Sequence, residues 1–200
     1  QVIMDRDTIV KAIEHSLLRA DATEAEIEVL CREAVEHGFY SVCINPVHVR
    51  RAGRLLAGTD VRVTTVVGFP LGAGQTAGKT YEAMQAAMSG AHELDMVMDI
   101  GSAKEGRWER VCRDIQSVVM ATPGILHKVI IEACYLTDEQ KRLAALAAVE
   151  SGAGYVKTST GFGAGGATVA DVRLLSATVS GRARVKAAGG IRSLEQVQAM

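Results

Sequence analysis

Short apolar, β-branched runs alternate with longer amphipathic segments from one end of the chain to the other, and few folds satisfy that alternation. Strands are expected at Glu14–Leu18, Ser41–Asn45, Arg62–Gly68, Glu93–Asp99, His127–Glu132, Gly154–Ser159 and Ala183–Ala188. Their starts lie about 20 to 35 residues apart, the length of one βα unit with its return loop. Helical segments fill the gaps. Thr23–Val35 opens with Thr23 and Glu26 in capping-box spacing, Thr137–Glu150 does so with Thr137 and Gln140, and Ser193 with Gln196 repeats the device. Strands followed by capped helices in this way imply a parallel sheet.

The strand-to-helix turn around Asn45–Pro46 carries no GxGxxG fingerprint, which weakens an open dinucleotide-binding sheet. Seven strands fit a closed barrel better, because that fold needs eight. The expected fold class is therefore α/β, a (β/α)8 TIM barrel with its eighth strand and last helix missing from the residues shown. Residues 1–200 are expected to form a single domain that is incomplete at its C-terminus. If that strand were truly absent, the open edge would lower solubility and weaken ligand binding.

The charge balance narrows the partners. Lys and Arg number 22 against 23 Asp and Glu, a formal net charge of −1. Nucleic acid and anionic membranes both favour a basic excess, so neither is expected as the main partner. An anionic substrate must then be met by a local site. Cys31, Cys43, Cys112 and Cys134 form no CxxC pair and read as reduced thiols. No apolar leader opens the chain, so the expected compartment is the cytosol. The residues do not fix an oligomeric state, and a homodimer is compatible with them.

Strands covered on both faces should be near-continuous apolar runs, yet four of these carry ionisable residues in mid-run. They are Asp95 in Glu-Leu-Asp-Met-Val-Met, Lys128 with Glu132 in Lys-Val-Ile-Ile-Glu, Lys157 in Tyr-Val-Lys-Thr-Ser, and Lys186 in Arg-Val-Lys-Ala-Ala. A buried charge is costly unless it finds a partner or shifts its pKa. One could be a structural ion pair; four on separate strands point to a shared polar interior. Lys157 and Lys186 stand one βα unit apart, so their strands should be neighbours, about 4.8 Å apart. Repulsion and desolvation would both lower a lysine pKa there and leave free amine to attack a carbonyl. Asp95 adds a carboxylate able to pass a proton. This is the apparatus of imine chemistry.

Val156-Lys-Thr-Ser-Thr-Gly-Phe162 resembles the active-site strand of the deoxyribose-phosphate aldolase family, a class I aldolase family. Ser41-Val-Cys-Ile-Asn-Pro46, Val67-Gly-Phe-Pro-Leu-Gly72, Glu93-Leu-Asp-Met-Val97, Lys128-Val-Ile-Ile-Glu132 and Val185-Lys-Ala-Ala-Gly-Gly-Ile-Arg192 are similar to other strands of that family, in the same order. The resemblance implies a (β/α)8 barrel with no metal and no organic cofactor. It implies that Lys157 forms the Schiff base, that Lys186 lowers the pKa of Lys157 and assists proton transfer, and that Asp95 serves the proton relay. The implied substrates are small phosphorylated sugars and aldehydes: 2-deoxy-D-ribose 5-phosphate, cleaved reversibly to acetaldehyde and D-glyceraldehyde 3-phosphate. The phosphate is expected at Gly161, Gly189, Gly190 and Arg192, where backbone N–H groups precede a helix capped at Ser193. From the loop alone, a tight turn that needs glycine is an equal alternative.

Glu14-His-Ser16 departs from the family's usual Asp-His-Thr, and the longer Glu could move any water it positions. Lys128 and Glu132 are read as supporting residues of an inner polar layer. Lys79 is read as a solvated charge in the region after Gly72. The five histidines show no ligand spacing, and Trp108 and the methionines are read as packing residues. Two rival functions remain: an imine-forming aldolase with another donor, and a phosphosugar-binding barrel without turnover.

Overall fold

The computed structural model describes residues 5–200. After a short helix α1 (Arg6–Val10), the elements run β1 (Glu14–Leu17), α2 (Glu24–His37), β2 (Ser41–Ile44), α3 (Val49–Leu55), β3 (Arg62–Val67), α4 (Thr76–Met88), β4 (Glu93–Val97) and α5 (Ile100–Lys104). They continue with α6 (Trp108–Ala121), β5 (Leu126–Ile130), α7 (Asp138–Glu150), β6 (Tyr155–Lys157), α8 (Val169–Val179), β7 (Arg184–Lys186) and α9 (Leu194–Ala199). The sheet order is β1-β2-β3-β4-β5-β6-β7. Consecutive parallel neighbours joined through helices are the βα repeat of a TIM barrel. No helix among the described residues is long and apolar enough to cross a membrane.

Each of the seven expected strands is present, and the local signals explain the helix starts. Thr23, Thr137 and Ser193 are the N-caps of α2, α7 and α9, and all three capping boxes are formed. Each cap satisfies backbone donors that the first helical turn would otherwise leave without partners. Helix α2 stops at Gly38, whose left-handed backbone (φ 69°) returns its N–H to the last carbonyls.

Two compact units can be described separately: the described residues up to Val66 with Gln85–Leu94, and Val67–Met84 with Asp95–Met200. In the first, β1 pairs with β2 and β2 with β3, with Ser41 opposite both Glu14 and Arg62. Ile27, Leu30, Cys31 and Ala34 of α2 are buried, as are Val42, Cys43, Ile44 and Val63 of the strands. Burial of such apolar surface is the main favourable term of folding.

In the second unit, β5 pairs with β6 and β6 with β7, placing Ile130 opposite Lys157 and Lys157 opposite Lys186. Val111, Ile115 and Val118 of α6, Ala144, Ala145, Ala147 and Ala148 of α7, and Leu175 and Val179 of α8 are buried. The alanines give α7 a face small enough to lie against both α6 and α8.

All seven strands end one or two residues earlier than the sequence patterns suggest, β4 to β7 by two. Glu132 leaves the β direction with φ 50°, which ends β5 at Ile130. Thr160 is drawn off toward Glu132, so β6 ends at Lys157 although its apolar-polar pattern runs on. The paired β7 stops with it at Lys186.

Two side-chain expectations are corrected. Lys79 is not solvated: it lies on α4, only 2% exposed, and its Nζ donates to Asp114 Oδ2 at 2.6 Å and to the Val97 carbonyl at 2.9 Å. Sequence gives no sign of Asp114, which comes from α6. Met96 and Met98 are packing residues, but Met88 and Met120 are 73% and 79% exposed on α4 and α6.

Candidate active site

Four of the five ionisable residues read from the strands meet at one carboxylate, that of Asp95. Asp95 in mid-β4 is fully buried. Its Oδ2 accepts from Lys157 Nζ at 2.5 Å and lies 3.5 Å from Lys186 Nζ, while Oδ1 accepts from Lys128 Nζ at 2.8 Å. Period-2 geometry produces this: Lys157 and Lys186 are register partners, and each points to the side of the sheet that Asp95 faces.

Burial pushes the Asp95 carboxyl up, but the charges of Lys157 and Lys128, with their hydrogen bonds, outweigh it and hold the group below its usual range. Lys186 differs. Both carboxylate oxygens are already engaged at shorter distance, so its 3.5 Å contact offsets little, and burial lowers its pKa to about 7. Desolvation is thus the cause at Lys186, where the sequence suggested that lysine–lysine repulsion would share the work. A depressed amine, an ionised carboxylate and a second buried lysine side by side can form an imine and move protons around it.

Lys128, expected as a supporting residue, lies directly on Asp95. Its mid-strand charge was a visible signal; its partner on β4 was not. Glu132 does not share that cluster. Its carboxylate accepts from the Thr160 backbone N–H at 3.1 Å and from the Thr160 hydroxyl. Sequence reading missed this link, because Glu132 lies beyond the strand in a left-handed conformation that no pattern announces.

The residues expected to hold phosphate lie on the loops after β6 and β7. Gly161 (φ 84°), Gly189 (φ 83°) and Gly190 (φ 81°) adopt the left-handed backbone that favours glycine. The loops are close: a Cβ on Gly189 would stand 3.4 Å from Gly161 Cα. Arg192 is exposed, and its N–H donates to Gln196 Oε1 at 2.6 Å within the α9 cap. The structure therefore brings Gly161 and Gly189 together, and shows the Arg192 N–H already in use.

Comparison with known proteins gives the family. Residues 2–200 match the family model described as DeoC/LacD family aldolase. A deoxyribose-phosphate aldolase of Deinococcus radiodurans is 55% identical over 193 residues, covering 96% of this chain and 88% of that protein. One from Carboxydothermus hydrogenoformans is 57% identical over 189 residues, covering 92% and 83%. Among solved structures, the tetrameric deoxyribose phosphate aldolase of Aeropyrum pernix superposes with a TM-score of 0.88 at 33% identity, covering 96% of this chain and 82% of that one. Family match, relatives and buried lysine–aspartate cluster lead to one assignment: the chain belongs to the DeoC/LacD family of aldolases.

Proposed function

We propose that this aldolase reversibly cleaves 2-deoxy-D-ribose 5-phosphate to acetaldehyde and D-glyceraldehyde 3-phosphate through a Schiff base on Lys157. The observation that carries the reading is the placement of Lys157 and Lys186 at the same oxygen of buried Asp95. The relatives named deoxyribose-phosphate aldolase supply the substrate.

In the cleavage direction, neutral Lys157 adds to C1 of the open-chain sugar and water leaves, giving a cationic imine. The C3 hydroxyl gives up its proton, the C2–C3 bond breaks, and its electron pair is drawn toward the imine nitrogen. Glyceraldehyde 3-phosphate departs and an enamine remains. Protonation at C2 and hydrolysis then release acetaldehyde. Asp95 and Lys186 handle the protons, because both stand beside the nitrogen that changes charge. Lys128 holds the other Asp95 oxygen and so fixes the orientation of the carboxylate. The N–H groups of Gly161, Gly189 and Gly190 have no protein acceptor among the described residues, and we assign them to the substrate phosphate, with Arg192 at the rim. A phosphorylated substrate of this kind places the reaction in the cytoplasm.

The test is borohydride reduction in the presence of acetaldehyde, followed by peptide mass spectrometry. An ethyl adduct is expected on Lys157. No adduct on folded protein would remove the acetaldehyde reading, and an adduct formed only with a keto acid would favour another donor.

The pH profile follows from Lys186. Below about 7 it carries its proton and cannot accept another; above that pH it can. kcat/KM is therefore expected to rise with pH along a limb of apparent pKa near 7. A rate that stays flat across neutrality would take Lys186 out of the proton path.

A further inference from the structure

We infer that Glu132 is a positioning residue that sets the substrate's phosphate subsite by dictating which backbone N–H groups of the loop after β6 point outward; this rests on the phosphate reading above. Glu132 is 2% exposed and is held at φ 50° and ψ 66°, a conformation unusual for a residue other than glycine. The backbone on either side is fastened to the Lys157 strand. The Ile131 N–H donates to the Lys157 carbonyl at 3.0 Å, and the Ala133 N–H to the Thr158 carbonyl at 2.8 Å. Between those two anchors, the left-handed turn swings the Glu132 side chain toward the loop.

There the carboxylate acts as a clamp. Oε1 accepts from the Thr160 N–H at 3.1 Å, and Oε2 accepts from the Thr160 hydroxyl. That hydroxyl in turn accepts from the Phe162 N–H at 3.0 Å. The N–H groups of Thr160 and Phe162 are thus both turned inward and used. Gly161, between them, is exposed, and its N–H has no protein acceptor among the described residues. Because the peptides on either side are committed, the Gly161 N–H keeps one direction.

Close packing leaves the clamp little play. A Cβ on Gly163 would stand 3.0 Å from Glu132 Cδ and 3.2 Å from its Oε2. One on Gly166 would meet the Gly189 carbonyl oxygen at 2.2 Å, and the Ala167 N–H bonds the Ala188 and Gly189 carbonyls at 2.9 and 3.1 Å. The loop that Glu132 holds is therefore joined to the loop that carries Gly189 and Gly190. With both carboxylate oxygens occupied by Thr160 donors, the negative charge is spent inside the protein and away from an incoming anion.

The experiment compares 2-deoxy-D-ribose 5-phosphate with unphosphorylated 2-deoxy-D-ribose in wild type, Glu132→Gln and Thr160→Val. Thr160→Val keeps the backbone but removes the hydroxyl link, and stands in should Glu132→Gln not fold. KM for the phosphorylated sugar is expected to rise by about tenfold, with kcat/KM for the unphosphorylated sugar changed by less than about twofold. Borohydride trapping of acetaldehyde should proceed as in wild type. Equal losses on both sugars would make Glu132 a merely structural residue and overturn the inference. A wild-type preference for phosphate that survives both substitutions would overturn it as well. A wild type that traps acetaldehyde but shows no preference for the phosphorylated sugar would overturn the phosphate reading itself.

Discussion

Lys157→Ala is expected to abolish the reduced acetaldehyde adduct and to lower aldol cleavage by on the order of 10⁴–10⁶-fold, the scale seen when a covalent nucleophile is deleted. Its effect on folding should be small, for a reason visible in the cluster. Asp95 loses the 2.5 Å contact but keeps Lys128 at 2.8 Å and Lys186 at 3.5 Å, so no buried carboxylate is stranded. One desolvated ammonium also disappears, which removes a cost. Thermal unfolding and far-UV circular dichroism would therefore look like wild type while activity is gone. The informative failure is an adduct that moves rather than vanishes. Lys186, with a pKa lowered to about 7, is itself amine-like at neutral pH. Labelling of Lys186 in the wild type would reverse the roles assigned to the two lysines.

Lys79→Met is expected to have the opposite signature, with a large loss of stability and intact chemistry in the protein that remains folded. The Lys79 and Asp114 side chains are 1% and 3% exposed and meet at 2.6 Å. Asp114 also accepts from the Thr76 hydroxyl at 2.8 Å, and Lys79 also donates to the Val97 carbonyl at the end of β4. Removing the ammonium leaves a buried carboxylate with one neutral donor, a defect worth about 3–5 kcal/mol. In a chain of this length that corresponds to a Tm lower by on the order of 10 °C. Lys79→Met combined with Asp114→Leu should recover much of the loss, since a pair replaced by apolar groups strands no charge. A single variant that melts with the wild type would mean that water reaches Asp114. The stem of Lys79 also explains Gly68, where a Cβ would stand 2.9 Å from Lys79 Cε.

What the sequence determined by itself is what local physics determines. Short apolar, β-branched runs placed all seven strands, and the Thr23, Thr137 and Ser193 caps placed three helix starts, because both depend on residues within one turn or one strand of each other. Mid-strand Asp95, Lys128, Lys157 and Lys186 stood out for the same reason: a charge in a doubly covered strand violates a local rule. Family resemblance added roles to those residues. Tertiary structure decided which charges meet. Asp95 gives one oxygen to Lys128 and the other to Lys157, with Lys186 at longer range, a division that depends on strand register and side-chain reach. It turned Lys79 inward, because a partner on α6, distant in sequence, makes burial tolerable. It also ended β5 at a left-handed Glu132 whose carboxylate serves a different loop. Periodicity along a chain carries the direction of a side chain, but the group that neutralises or receives it lies on another element, and only the packed fold brings the two within 3 Å.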